Sequence, residues 1–514
     1  MKFSKRKAVF PVLTSILVPH MVMAGDVEKP NVVLIYADDI GYGDLGWLGA
    51  TTVNTPNVNT LADEGIRFTN CHSTSSVSTP SRYGMLTGMY PWRVAGTGIA
   101  PGDAAMIIKP EQYTIADMFK KSGYTTAAIG KWHLGLGGER GKQEWNGKIE
   151  PGLSDLGFDY SYIMAATGDR VPCVFIENGK VDNLDPADPI EVSYSKPFDG
   201  EPTGKNNPEL LRMHPSVGHN MAIVNGIPRI GYMKGGKSAL WRDEDIADDI
   251  TRKAVKFIQN NQNTPFFLYF ATNDIHVPRI PHERFVGKSG MGPRGDAILS
   301  FDYCVGRIME TLDSLKLADN TIIILTSDNG PVLDDGYHDQ AKELVGTHKP
   351  AGIYRGWKCS VFEGGTRVPM IVRWPQEIKS SKTSDALISQ IDFFKSFADY
   401  LGTILPEGVA PDSENIWKTL TGKNKKGRKE LIEQSIYSTL SLVTPRYKYI
   451  EPNGKYVKKK GVVTEAGDSM DGQLYDLKKD PVERNNIASS KKSLTDKMRA
   501  ALEKKKAPLP QDRK

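Results

Sequence analysis

Asn31-Val32-Val33-Leu34-Ile35-Tyr36-Ala37-Asp38-Asp39 is the stretch that decides the fold. Six apolar residues follow Asn31 without a break, and two adjacent carboxylates close the run. A half-exposed strand alternates apolar and polar residues; an unbroken run this short is the pattern of a strand buried on both faces, as in a parallel sheet. Four other runs share the form: Thr125–Ile129, Pro265–Ala271, Thr321–Thr326 and Val368–Arg373. The first leads into Gly130-Lys131-Trp132-His133, the second into Asp274 and His276, and the third into Asp328-Asn329. Helical patterns lie between the runs. Ile298, Phe301, Val305, Ile308, Leu312 and Leu315 keep one helix face, Ile246, Ile250, Ala254, Phe257 and Ile258 another, and Thr114–Lys121 a third with Gly123 past its end. Alternation of this kind predicts an α/β fold: a large, mostly parallel sheet covered by helices on both faces. Ligands in such folds bind beyond the carboxyl ends of the strands, where the polar residues above collect.

Composition agrees. The 514 residues are 39% hydrophobic and 25% charged, ordinary for a globular chain and unlike a disordered or polytopic one. Of the formal net charge of +5, Lys2, Lys5, Arg6 and Lys7 supply four units, so the bulk charge gives no reason to expect a nucleic-acid partner. Those four precede a short apolar stretch, Ala8–Val18, and Val22-Met23-Ala24. Residues 1–24 therefore read as a signal peptide cleaved after Ala24, followed by an exported chain, periplasmic or secreted, with no integral membrane segment. Cys71, Cys173, Cys304 and Cys359 are too scattered for a metal site and too few for a disulfide scaffold; one bridge or buried thiols is the expectation.

A catalytic domain is expected over residues 25–426. A smaller C-terminal α+β subdomain is expected over 427–514, after a solvated basic linker of Lys423, Lys425, Lys426, Arg428 and Lys429. Ser435–Thr439, Tyr447–Glu451, Lys455–Lys459 and Gln473–Asp476 read as its antiparallel strands and Leu494–Lys504 as its helix. Residues 165–245 are rich in Pro, Gly and Asn and have weak periodicity, which suits long loops beside an active face.

Asp38 and Asp39 have no basic neighbour in sequence, and burying two carboxylates is costly unless a cation offsets them. Asp328 and Asn329 bring two more oxygen donors to the same sheet end, a set suited to Ca²⁺ or Mg²⁺ rather than a thiophilic metal. The most informative segment is Ser78-Thr79-Pro80-Ser81-Arg82-Tyr83-Gly84-Met85-Leu86-Thr87-Gly88. Pro80 suits a first helical position with Ser78 or Thr79 as cap, which places Ser78 at a helix N-terminus, where anions are favoured.

These residues resemble the formylglycine-dependent sulfatases of the alkaline phosphatase superfamily. Ser78, Pro80, Ser81, Arg82, Leu86, Thr87 and Gly88 match the family signature. Asp38-Asp39, Gly130–Gly135, His276 before Pro278, Ser327–Gly330, Arg355–Lys358 leading into Glu363–Pro369, and Gln473–Leu477 with Asp480-Pro481 match further blocks in order. The resemblance covers nearly the whole mature chain and extends to bacterial N-acetylgalactosamine-6-sulfatase-like members. It implies that Ser78, rather than Cys71, is converted to formylglycine (3-oxoalanine), with a serine-type radical maturase as a partner during biosynthesis. It also implies one Ca²⁺ held by Asp38, Asp39, Asp328 and Asn329 with the Ser78-derived group. Lys131 and Lys358 would hold sulfate oxygens, Arg82 the modified side chain, and His133 would take a proton from the aldehyde hydrate. His276 would protonate the leaving oxygen. One hydroxyl of the hydrate would attack sulfur and the other would expel sulfate, a route closed to a serine ester.

A sulfated carbohydrate is the expected substrate, 6-O-sulfated galactose or N-acetylgalactosamine in the first instance. Asp169, Arg170, His219 and Trp241 are candidate sugar contacts, with His214 nearby. A phosphatase or phosphodiesterase of the superfamily is the rival enzyme, though Asp328-Asn329 in place of an Asp-His pair argues against its second metal. A non-catalytic glycan-binding protein is the other alternative.

Overall fold

The computed structural model describes Met1, residues 29–454 and residues 465–509; the signal segment and the strand expected at Lys455–Lys459 lie outside them. The chain runs β1 (Asn31–Ala37), α1 (Pro56–Asp63), β2 (Ile66–His72), α2 (Ser78–Thr87), α3 (Ile115–Lys121), β3 (Thr125–Lys131), β4 (Tyr160–Met164), β5 (Phe175–Glu177) and β6 (Lys180–Val181). It continues with α4 (Ile246–Asn260), β7 (Phe266–Ala271), α5 (Gly292–Ser314), β8 (Thr321–Ser327), β9 (Arg367–Arg373), β10 (Lys382–Ser384), β11 (Ile388–Ser389) and α6 (Phe393–Tyr400). Strands β1 to β11 form one 11-stranded sheet in the order β10-β2-β9-β8-β1-β7-β3-β4-β5-β6, with β11 also on β2.

The five central strands, β8-β1-β7-β3-β4, are mutually parallel. β1 is buried along its whole length, as its unbroken apolar run requires. Helices cover both faces. Phe266 and Phe267 are neighbours in β7 and so point to opposite faces; Phe266 meets Phe257 of α4 and Phe267 stacks on Phe119 of α3. Helix α3 starts at a capping box, in which the Thr114 side chain accepts from the Ala116 and Asp117 amides and Asp117 accepts from the Thr114 amide.

One strand differs from the sequence expectation. Val368–Arg373 lies in β9, which is antiparallel to both β8 and β2. The chain returns from the carboxyl end of β8 through a loop and not a crossover helix, so the next strand must run back.

The C-terminal region forms an antiparallel four-stranded sheet, β12 (Leu431–Gln434), β13 (Leu440–Val443), β14 (Tyr447–Ile450) and β15 (Gln473–Asp476), with helix α7 (Lys492–Lys506) packed on β13 and β14. The strand expected at Ser435–Thr439 is instead the turn between β12 and β13: Ser435 and Thr439 pair across it and Ser438 is left-handed. Arg428 is not a solvated linker residue; it is buried and paired with Asp392. No described helix is long and apolar enough to cross a membrane.

Candidate active site

Three parallel strands deliver the acids and one lysine of the site. Asp38 and Asp39 follow β1, Asp328 and Asn329 follow β8, and Lys131 ends β3. Gly130 just before Lys131 has φ +104°, and a Cβ there would lie 1.9 Å from the Ala271 carbonyl, so only glycine lets β3 approach β7 this closely. Asp39 and His133 also hold left-handed backbone, φ 60° and 59°. Such conformations cost energy outside Gly, Asn and Asp and concentrate at functional sites.

Ser78 is the first residue of α2, with Val77 as N-cap and Pro80 two positions in. The helix thus starts earlier than Pro80-first would have it, and the Ser78 hydroxyl does not cap. It donates to Asn329 Oδ1 at 3.3 Å and accepts from Lys131 Nζ at 2.9 Å. Pro80 costs nothing here, because the first amides of a helix have no intrahelical partner.

The two acids that lack a basic neighbour in sequence acquire one each in space. Lys131 Nζ lies 2.7 Å from Asp38 Oδ1, and Lys358 Nζ 2.8 Å from Asp39 Oδ2. Arg82, fully buried one turn into α2, clamps Asp328 Oδ2 through Nη2 at 2.7 Å and Nε at 3.1 Å, and donates to the Tyr269 hydroxyl at 3.0 Å. Asn329 Nδ2 donates to Asp39 Oδ1 at 2.7 Å. Burial dominates the titration of Asp38 and, with Asp328 and Asp39 beside it, raises its carboxyl well above the usual range. Burial opposes the charge of Asp39 too, but Lys358, Lys131 and Asn329 outweigh it and hold Asp39 low.

The donor set fits a hard cation. Asp38, Asp39 and Asp328 each offer an oxygen, all within 4.8 Å of one another, and Asp38 Oδ2 is buried with no hydrogen-bond partner. A divalent cation would engage that oxygen and relieve the carboxylate repulsion.

Ser78 opens on a cavity of about 430 Å³. His133, Asp169, Arg170, His219, His276 and Lys358 line it beside Ser78. His133 and His276 are set up differently. His133 Nε2 faces the Ala100 carbonyl at 3.0 Å and so carries the hydrogen, which leaves Nδ1, buried and unpartnered, as a lone pair. Burial, then Lys131 and Arg170, hold its pKa well below the ordinary value, so it stays neutral. His276 Nδ1 donates to the Val277 carbonyl at 2.8 Å and aims Nε2 at the pocket. Burial and the cations Lys358 and Lys131 hold its pKa well below the ordinary value.

His219 is held in the charged form. Its Nε2 faces Asp169 Oδ2 at 2.8 Å and its Nδ1 the Val217 carbonyl at 2.9 Å, two acceptors for one ring. Burial opposes the charge, but Asp169 raises the pKa over it. Arg170 Nη1 pairs with the same Asp169 at 2.8 Å.

Trp241 is not brought to this pocket: it is 4% exposed and packs on Phe175. His214 is exposed and does not line the pocket either. Cys71 is a fully buried residue of β2 whose thiol is pushed up by burial, unsuited to be a nucleophile. Asp335 is a site residue that sequence reasoning missed. It lines the pocket, 2.7 Å from Lys358 Nζ and 3.7 Å from His276 Nε2. Its only signal is a second acid pair, Asp334-Asp335, shortly after Asp328-Asn329. Ile436, from the turn after β12, also reaches the cavity, so the C-terminal region contributes to its wall.

Comparison with known proteins places this geometry. The family described as Sulfatase matches residues 30–403, and that of the N-sulphoglucosamine sulphohydrolase C-terminal region matches residues 355–508. The chain is 55% identical over 461 residues to an N-acetylgalactosamine-6-O-sulfatase of Bacteroides thetaiotaomicron, covering 90% of each. It is 30% identical over 499 residues to human arylsulfatase A, covering 92% of this chain and 86% of the relative. A solved structure from work on the metabolism of multiple glycosaminoglycans by Bacteroides thetaiotaomicron superposes with a TM-score of 0.91 at 53% identity, covering 93% of this chain and 99% of that one.

Proposed function

The chain belongs to the sulfatase family and is a sulfuric ester hydrolase; on that premise we propose that it removes sulfate from 6-O-sulfated N-acetylgalactosamine or galactose units of glycans, with formylglycine derived from Ser78 as nucleophile. The observation that carries the reading is the meeting of Ser78 Oγ with Lys131 Nζ at 2.9 Å and Asn329 Oδ1 at 3.3 Å, on the floor of a pocket with His276 and Lys358 in its wall. The named Bacteroides relative supports the sugar and its sulfate position.

The sulfate group would enter toward Ser78 and exchange the internal ion pairs for its own. Lys131 and Lys358, now bound to Asp38 and Asp39, would turn to the sulfate oxygens and stabilise the charge that gathers there as the ester bond breaks. Arg82 would keep Asp328 in place and, through α2, the nucleophile. A formylglycine hydrate at position 78 would supply two hydroxyls on one carbon, one to attack sulfur and one to release sulfate without water having to attack an ester. His133 Nδ1 would take the proton of the second hydroxyl, and His276 Nε2 would give one to the departing sugar oxygen. Ca²⁺, held by Asp38, Asp39, Asp328 and Asn329, would supply Lewis acidity to the reacting oxygens. Across the pocket, Arg170 would present a charged donor to sugar hydroxyls, and Asp169, paired with both Arg170 and His219, would hold it there. The domain division at residues 426 and 427, export by the N-terminal segment, and maturation by a serine-type radical enzyme belong to the same proposal.

Lys131→Ala and Lys358→Ala should each lower turnover by about 10²–10³, the scale for losing one preorganised donor to a developing anion. Near-normal kinetics for either would show that it does not touch sulfate. Chelation should abolish activity and Ca²⁺ restore it. Asp39→Ala and Asp328→Ala should lose bound metal, read by elemental analysis, together with activity. Two zinc ions per chain would favour the phosphatase reading instead.

A further inference from the structure

Asp335 is an acid of the catalytic pocket that the proposed steps do not use. Its carboxylate lines the cavity with Oδ2 2.7 Å from Lys358 Nζ and 3.7 Å from His276 Nε2. The loop that carries it is fixed on both sides. The Ser216 hydroxyl donates to Asp334 Oδ1 at 2.6 Å, Lys342 Nζ lies 2.8 Å from Asp334 Oδ2, and Tyr337 forms a backbone bridge with Pro215. A Cβ on Gly336, where φ is +114°, would come within 2.1 Å of the His219 ring, so only glycine fits there. Asp335 is thus held at the wall beside Lys358.

An acid in this place works against anion binding. A sulfate on Lys358 must share the ammonium with Asp335. With an ordinary contact of about 3 Å to Nζ, its nearest oxygen would lie within about 6 Å of the Asp335 carboxylate. At that separation each negative charge on the ligand costs a factor of about 10–10² in affinity. The penalty is therefore twice as large, in free energy, for an anion of two charges as for an anion of one. A sulfate ester carries one charge; free sulfate and an ionised phosphate monoester carry two.

The charges around the nucleophile agree. Lys131, Lys358 and Arg82 face Asp38, Asp39 and Asp328, three cations against three acids. A divalent cation would add two positive charges, and Asp335 brings the excess down to one, the complement of a sulfate ester. Arg170 and His219 pair with Asp169 instead. We propose that Asp335 determines specificity by ligand charge: it sets the pocket to hold a singly charged ester and to reject doubly charged anions, so that phosphate monoesters are excluded and product sulfate is released. The proposal rests on the reading of Lys358 as a sulfate contact.

The test compares anions of one and two charges on the matured, metal-loaded, full-length protein, as wild type, Asp335→Asn, Asp335→Ala and Asp335→Glu. Asparagine keeps the shape of the side chain and removes its charge; glutamate keeps the charge. In titration calorimetry with sodium sulfate, Asp335→Asn and Asp335→Ala should bind at least about tenfold tighter than wild type, and Asp335→Glu should stay close to wild type. One alcohol should then be offered as its sulfate ester and as its phosphate ester at about pH 8, where the phosphate carries two charges. In Asp335→Asn, kcat/KM for the phosphate ester relative to the sulfate ester should rise by about 10–10². Unchanged or weaker sulfate binding by Asp335→Asn, or an unchanged ratio between the two esters, would overturn the proposal. Lys358→Ala in the same titration tests the underlying reading by itself: it should bind sulfate less tightly than wild type, and no weakening would remove the contact on which the proposal stands. The titration uses no sugar, so its outcome is separate from the substrate assignment.

Discussion

Ser78→Ala should abolish turnover of a sugar sulfate, with a loss on the order of 10⁶, the scale for removing a catalytic nucleophile. Ser78 is 3% exposed and its hydroxyl contacts Lys131 and Asn329, so the substitution removes the reacting atom while leaving α2 in place. The folded state should survive, because Ser78 does not cap its helix and alanine is a good helix former. Wild-type protein made without a serine-type maturase should behave like the variant, since an unmodified hydroxyl could at most form an ester that water must then attack. Measuring kcat for both, beside the matured enzyme, separates loss of the atom from loss of its oxidation.

The second large effect should come from His276. His276→Ala should slow sugar-sulfate hydrolysis by about 10²–10⁴, the usual range for general acid catalysis. It should cost much less on an activated aryl sulfate, whose leaving group is weakly basic. Nδ1 is committed to the Val277 carbonyl, so Nε2 is the atom free to give a proton. Equal losses on both substrates would make His276 a sulfate-binding residue only, because the bound sulfate is common to the two. One enzyme preparation should serve both assays, which cancels differences in maturation and metal content.

The parts of this site that the sequence shows are those attached to strand ends. β1, β7 and β8 are unbroken apolar runs, and the residue that follows such a run has one place to go, the carboxyl edge of the sheet. Asp38, Asp39, Asp328 and Asn329 were therefore legible as a group before any distance was known. What was not legible depends on contacts between distant loops. Lys358 meets Asp335 and Asp39 across a long loop, and nothing in local spacing couples them. Asp335 itself looks like any loop acid. Trp241 shows the converse: an aromatic beside Arg242 in a polar loop reads as a stacking platform, yet it is buried against Phe175 as core. β2 mixes polar and apolar residues and sits beside the antiparallel β9, so it lacks the signature that marked the central strands. The Ser435–Thr439 stretch suits a strand or a turn by its residues alone, and the register of β12 on β13 makes it a turn.

The ion cluster that Lys448 forms with Glu363, Glu433 and Glu483 at the subdomain junction lies further still from sequence patterning. Glu363 sits in a recognisable block, but Glu433, Lys448 and Glu483 come from three separate segments of the C-terminal region. Their meeting depends on the docking of one sheet on another. The same docking carries Ile436 to the catalytic pocket and pairs the Ser76 amide with the Gln434 carbonyl at 3.0 Å, two residues before the nucleophile.

Sulfate release from 6-O-sulfated N-acetylgalactosamine by the matured protein, with the mass of the Ser78 peptide read in the same preparation, tests the central claim most directly. The account predicts turnover in proportion to the fraction of peptide that has lost two hydrogens at Ser78. Full turnover with an intact Ser78 hydroxyl, or no sulfate release from a preparation in which Ser78 is fully converted, would contradict it.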